Sequence, residues 1–401
     1  MQRSRWFLTS VVAVTALVAA TTPAVATPAT PSVRFATFNA SLNRAQAGQL
    51  VADLSTPDNA QAREAAEVIQ RNRPDVLLVN EFDYVPDNAA ANLFRQNYLG
   101  VGQNGAAPID YPYAFTAPVN TGVSTGFDLD RNGQVGGGND AHGFGVFEGQ
   151  YGMLVLSKYP IDTANARTFQ QFRWADMPDA LLPDDPATPA KADWYSPEIL
   201  DVLRLSSKSH WDLPIQVGGS DVHFLVSHPT PPVFDGPEDR NGTKNHDEVR
   251  FWADYVTPGK GEYIYDDRGG SGGLGAHDRF VVAGDNNADQ YDGDGIDGGI
   301  ERLLRAPRVI DPHPGSLGGA AAAREQGGAN TAHQGPAFFD TGDFADDTPG
   351  NLRVDYVLPS HGLVPWRAEV FWPLPGSPLA RLNDVSDHHL VRVDVLVPRW
   401  S

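Results

Sequence analysis

Residues 33–40 (VRFATFNA) alternate apolar and polar positions with the period of two expected of a strand. Residues 60–71 then place Ala62, Ala65, Val68 and Ile69 at the spacing of an amphipathic helix, which Pro74 stops. Residues 75–80 (DVLLVN) form a short continuous apolar run typical of a buried strand, so the chain opens as strand, helix, strand. Further runs at 153–157, 222–227, 279–283, 353–358 and 390–397 predict additional strands, and a helix is expected over 299–305. Several of these runs end in polar clusters, the pattern of a sheet with functional groups at its strand ends.

Two stretches break this rhythm. Residues 100–150 are rich in Gly, Asn and Asp, and residues 164–219 mix Pro, Trp and charge, so both read as long insertions that shape the rim of a site. No period of repeat, no heptad pattern and no linker divides the rest, which predicts one domain over residues 27–401.

The first residues set a compartment. Arg3 and Arg5 precede an apolar run at 6–20 and a small-residue site, Ala24-Val25-Ala26. This is the layout of a secretory signal peptide over residues 1–26, which predicts a secreted protein with no transmembrane anchor after cleavage. The sequence contains no cysteine, so an exported chain must rest on its core or on bound metal rather than on disulfides. With 41% hydrophobic residues a large core is available. The formal charge of −20, which becomes −22 without Arg3 and Arg5, opposes non-specific binding of a polyanion.

The chemistry lies in polar clusters that follow the strands. Asn39 closes the first, and Glu81 follows the second, where a lone carboxylate behind a buried run is costly unless it meets a hard cation. His228 follows the strand at 222–227. The run Gly284-Asp285-Asn286-Asn287 lets the backbone turn sharply while presenting a carboxylate beside an amide. Asp355 and the segment Ser386-Asp387-His388 come last, and an Asp and a His on neighbouring strand ends can pair, the carboxylate orienting the imidazole and raising its basicity.

In this order the clusters resemble the endonuclease/exonuclease/phosphatase family, from residue 33 to residue 397. The Gly-Asp-x-Asn of residues 284–287 and the Ser-Asp-His of residues 386–388 carry most of that resemblance, although Asn286 stands where many members have an apolar residue. The resemblance implies a four-layer α/β sandwich, two packed mixed or antiparallel sheets flanked by helices. It implies a metal site at Asn39, Glu81 and Asp387, and catalytic groups at His228, Asp285, Asn287, Asp355 and His388. It further implies hydrolysis of a phosphate ester by metal-assisted attack of water, with Mg²⁺, Mn²⁺ or Ca²⁺ as cofactor. The substrate would be a small molecule, a lipid headgroup or nucleic acid, the charge favouring the first two, and no protein partner is implied. A secreted, metal-stabilised binding protein without turnover is the competing expectation from another class.

Four secondary features accompany the main clusters. Tyr151, in Gly149-Gln150-Tyr151-Gly152, is either a substrate contact or a core aromatic. Arg240, Lys244 and Arg250 form a basic island downstream of His228 that can recruit an anionic substrate, or else decorate a solvated helix face. Asp128, Asp130 and Asn132 imitate the first half of a calcium loop, whose twelfth position is Asn139 rather than Glu, leaving a structural Ca²⁺ as an added expectation. Asp292, Asp294 and Asp297 offer either a second ion site or a turn into the next helix.

Overall fold

The computed structural model describes residues 30–296 and 298–398. Its strands, in chain order, are β1 (Ser32–Asn39), β2 (Val76–Asn80), β3 (Tyr113–Phe115), β4 (Met153–Ser157), β5 (Arg167–Thr168), β6 (His210–Val217) and β7 (Ser220–Ser227). They continue as β8 (Phe280–Asp285), β9 (Gly342–Asp343), β10 (Asn351–Leu352), β11 (Asp355–Pro359), β12 (Val364–Val370) and β13 (Val391–Leu396). The α-helices are α1 (Gln49–Leu54), α2 (Ala60–Asn72), α3 (Ala89–Phe94), α4 (Pro197–Leu200), α5 (Arg240–Val256), α6 (Gly299–Leu304) and α7 (Leu317–Gln326).

Two mixed sheets dominate, one ordered β12-β13-β1-β2-β4-β3 and the other β11-β8-β7-β6-β5. Each holds one parallel pair, β1 with β2 and β7 with β8, among antiparallel neighbours. Alternate residues of each strand serve different layers, as the pleat requires. Val33 and Phe35 of β1 face Trp211, Leu213, Phe224 and Val281 of the second sheet across the central core. Ala36 and Phe38, on the other face of β1, pack under α1, α2 and α3. On the second sheet, Leu225, Val282 and Tyr356 pack under α5 and α6. The result is the expected four-layer α/β sandwich, and burial on both faces is why the strands read as nearly continuous apolar runs.

Helix α2 occupies the expected place. Asn59 caps it by accepting from the Ala62 amide at 3.0 Å, and Arg73, at φ 50°, turns the chain out ahead of Pro74.

The second insertion needs correction. Residues 210–217 within it form β6, an eight-residue core strand with Trp211, Leu213 and Ile215 fully buried. Pro214 and Asp212 disguise it. The proline is tolerated because regular pairing with β5 stops at Asp212, and beyond it the outer edge carries only the isolated Ile161–Ile215 bridge, where the Pro214 carbonyl accepts from the Asp162 amide and no N–H is needed from residue 214. Asp212 is buried because Tyr255 Oη donates to it at 2.6 Å and His223 Nδ1 lies 2.6 Å from its other oxygen. Within the first insertion, residues 113–115 form the edge strand β3. Among the described residues no helix is long and apolar enough to cross a membrane. The signal peptide expected over residues 1–26 lies outside the described residues.

Candidate active site

The register of the sheets gathers the polar clusters. Parallel pairing aligns Asn39 with Asn80, which delivers Glu81 next to the end of β1. Antiparallel pairing sets Asp355 opposite Asp285. Gly284 is required where β7 and β8 close together, since a Cβ there would lie 2.2 Å from the Ser227 carbonyl oxygen. That approach holds His228 and Asp285 on adjacent strand ends.

Asp285 lies at the centre. Its Oδ2 accepts from Asn39 Nδ2 at 3.1 Å and lies 3.4 Å from His228 Nε2 and 3.5 Å from His388 Nε2. Its Oδ1 accepts from the Asn287 amide at 2.9 Å, closing a turn in which Asn287 adopts φ 49°. Asn287 Nδ2 donates to the Pro229 carbonyl, which joins this turn to the segment after His228. Asn39 also donates to Glu81 Oε1 at 3.0 Å, and Asn43 donates to Glu81 Oε2 at 2.7 Å. Glu81 itself stands at φ 57°, a left-handed conformation that a non-glycine residue adopts at a cost of about 1 kcal/mol or more.

His388 and Asp355 form the expected pair, with Nδ1 2.8 Å from Asp355 Oδ2. Thr341 Oγ1 donates to the same oxygen at 2.9 Å and accepts from the amides of Val354 and Asp355, locking the carboxylate. The other oxygen of Asp355 is buried with no partner among the described residues.

Burial opposes charge on His388, but Asp355 and Asp285 beside it overcome that and hold its imidazole well above the ordinary histidine range. His228 goes the other way, its protonation suppressed by burial and by the neighbouring Lys208 and His388. Burial pushes the Glu81 and Asp285 carboxyls up, against the pull of Asn39 on the first and of His388 on the second. One neutral and one cationic imidazole thus flank the same carboxylate.

A cavity of about 950 Å³ opens over this cluster, lined by Glu81, His228, Asp285, Asn287 and His388, with Asp387 exposed at its edge. The two insertions supply much of its wall through His142, Phe144, Tyr195 and Leu203. Tyr151 lines it, half buried at φ 55°. Arg240 lines it too, paired with Glu238, as does Lys244, whose ammonium donates to the His142 carbonyl. Burial lowers the Lys244 pKa to about 8.

Two sequence expectations need correction. Arg250 lies away from the cavity lining, its guanidinium bonding Asp254 and the carbonyls of Pro178 and Asp179, because its position on α5 faces the 164–219 segment. Asn39 turns its amide nitrogen, not its oxygen, to Glu81 and Asp285, so in this geometry it clamps two carboxylates rather than presenting an oxygen ligand.

The carboxylates of the remaining acidic loops are engaged by amide donors of the protein. Asp128 accepts from the amides of Asn132 and Gly133, and Asp130 from Asn132 N and Asn139 Nδ2. The third carboxylate near them is that of Asp140, not a side chain at the twelfth loop position. Asp292 accepts from the amides of Gln334 and Gly335, and Asp297 lies outside the described residues.

Sequence reasoning missed Lys208, buried on the cavity wall ahead of β6. The signal was hidden with the strand itself, since a Lys preceding an unrecognised strand marks no strand end. It also missed Thr341, and no motif singles out that residue.

The profile described as the Endonuclease/Exonuclease/phosphatase family matches residues 36–388. No curated protein sequence matches. Among solved structures, an endonuclease/exonuclease/phosphatase from Beutenbergia cavernae superposes with TM-score 0.50 at 16% identity, covering 91% of this chain and 72% of that one. Sphingomyelinase C from Streptomyces griseocarneus gives TM-score 0.47 at 18% identity, covering 91% of this chain and 99% of its own. A mannosyl-6-phosphatase from Bacteroides thetaiotaomicron gives 0.43 at 11% identity, with coverage of 91% and 99%.

Proposed function

Since the chain belongs to the endonuclease/exonuclease/phosphatase family of metal-dependent phosphoester hydrolases, we propose that it is a secreted phosphoesterase cleaving a small-molecule or lipid-headgroup phosphate ester by attack of water. The observation that carries this reading is the meeting of Asn39, His228 and His388 on one oxygen of Asp285, on the floor of a large cavity. Secretion rests on the signal-peptide layout of residues 1–26, and one catalytic domain over residues 27–401 is part of the same reading.

The donor set fits a hard divalent ion. Glu81 and Asp285 are two carboxylates clamped by one amide, with Asp387 at the cavity edge, and oxygen donors of this kind suit Mg²⁺, Mn²⁺ or Ca²⁺. Asp285, Asp355 and His388 also lie close enough to share an ion, but the hydrogen bond between His388 and Asp355 commits those two to each other. A bound ion supplies neutralisation of phosphate charge and acidification of the attacking water.

The protein's own groups do the rest. Asp285 orients the water and takes its proton. His388, kept cationic by Asp355, donates from Nε2 to a phosphoryl oxygen as charge builds on it, and neutral His228 and the Asn287 amide hold the other oxygens. The insertions close the cavity around the leaving group, and the overall charge of −20 opposes a long polyanion, which ranks nucleic acid second.

The test is hydrolysis of p-nitrophenyl phosphate and bis-p-nitrophenyl phosphate after EDTA treatment and restoration of Mg²⁺, Mn²⁺ or Ca²⁺. Metal-dependent turnover lost in His388→Ala supports the reading, and the ratio of the two rates ranks monoesters against diesters. Equal turnover in His388→Ala sinks the site assignment.

A further inference from the structure

Two lysines line the active-site cavity, and their surroundings differ. The ammonium of Lys244 is accounted for by the His142 carbonyl. Lys208 is only 6% exposed, yet its ammonium donates no hydrogen bond among the described residues. The backbone around it is firmly held: the Asn120 amide donates to the Lys208 carbonyl at 2.8 Å, and the Ser207 amide donates to Glu248 at 2.5 Å. Gly143 presses on the same segment so closely that a Cβ would lie 1.9 Å from the Ser207 carbonyl oxygen. A rigid frame therefore holds a mostly buried lysine whose ammonium has no hydrogen-bond partner among the described residues and opens onto the cavity.

An ammonium held at a cavity wall without a protein acceptor must be satisfied from the cavity side, by water or by a ligand that supplies the acceptor. The nearby anions are already engaged. Glu248 accepts from the Ser207 and Thr230 amides, and Glu81 and Asp285 are the carboxylates assigned above to the metal. Lys208 is close enough to Glu81, Asp285 and His228 to feel or exert their charge, so it borders the floor where the phosphate sits.

We propose that Lys208 is a substrate-contacting residue whose ammonium donates to a non-bridging oxygen of the phosphoryl group. The proposal rests on the phosphoesterase reading. It gives the site a fixed cation on the chain itself, walled in by the insertions, so that phosphate affinity does not depend on metal alone.

The alternative is that Lys208 merely balances Glu248, Glu81 and Asp285. The two roles predict opposite effects of Lys208→Met in saturating Mg²⁺. A balancing role predicts a lower Tm, whereas a phosphate contact predicts a Tm unchanged or raised, because a buried charge has been replaced by an apolar chain of similar length.

Inorganic phosphate binding, measured by calorimetry in Mg²⁺, gives a readout independent of turnover. We expect Lys208→Met to weaken it at least tenfold and to lower kcat/KM on p-nitrophenyl phosphate about 100-fold. The sequence has no cysteine, so Lys208→Cys can be alkylated selectively with 2-bromoethylamine to rebuild a lysine-like side chain. That treatment should restore at least tenfold of the lost phosphate affinity and leave the native protein unchanged. Phosphate affinity within twofold of native in Lys208→Met, or a lower Tm with no recovery on aminoethylation, overturns the proposal while leaving native turnover, and the function, intact. A native protein that neither hydrolyses the esters nor binds phosphate overturns both.

Discussion

Asp285 and Asp355 face each other in the register of β8 and β11, and His388 spans them, with Nδ1 2.8 Å from Asp355 and Nε2 3.5 Å from Asp285. The imidazole sits between two carboxylates, which is why it holds its proton despite burial. Because the folded state raises this pKa, the stabilisation is complete below the unfolded value of about 6.5 and is lost as pH rises through the higher folded value. His388 should therefore remain protonated at pH 7 in metal-free protein, as NMR of the labelled imidazole would report. In Asp355→Asn the resonance should titrate at lower pH, and turnover should fall about 100-fold or more.

Thr341 should matter although it touches no substrate. Replacing it with valine removes the donor to Asp355 Oδ2 and the acceptor for two buried amides. A loss of about 1–3 kcal/mol in urea denaturation is expected. A fall in kcat exceeding any rise in KM would show that Asp355 has lost its orientation.

Glu81→Gln should separate metal binding from stability. Without metal, burial already disfavours the Glu81 charge, so in EDTA the variant should be at least as stable as the native protein. With Mg²⁺ the order should reverse, because the native site gains more from the ion, and the Mg²⁺ needed for half-maximal activity should rise at least about tenfold in the variant. Equal Mg²⁺ dependence would remove Glu81 from the metal site.

Gly284→Ala should destabilise the fold by about 2 kcal/mol or more, since the new methyl would overlap the Ser227 carbonyl where β7 meets β8. Thermal unfolding measures this directly. An Ala variant with native Tm would mean that the two strand ends can separate without cost.

Arg250→Ala should leave KM unchanged. Its guanidinium bonds Asp254 and the Pro178 and Asp179 carbonyls, so the expected effect is about 1 kcal/mol or less in stability. A several-fold rise in KM would return Arg250 to the substrate's surroundings.

Much of this architecture is legible from local pattern. β1, β2, β4 and β7 appear as apolar runs because both faces of each sheet are buried, and α2 appears because its cap, its period and Pro74 agree. The polar clusters stand out because several of them follow buried runs in one order along the chain, although each alone is ordinary loop chemistry. β6 escaped because its polar residue is satisfied by distant partners: Asp212 looks like loop chemistry until Tyr255 and His223 are placed beside it.

Read along the chain alone, strand periodicity and strand-end polarity give most core strands and the order of Asn39, Glu81, His228, Asp285, Asn287, Asp355 and His388, because both are local properties, while the layers of the sandwich followed only from the family resemblance those clusters carry. Tertiary structure alone decided that Asn39 offers its nitrogen, that Arg250 turns away from the cavity and that Lys208 faces it. Those outcomes depend on which distant groups reach a side chain first. Hydrogen bonds and buried charges are settled by neighbours brought together across hundreds of residues, as Asn39 and Asp285 are, and no spacing along the chain records that meeting.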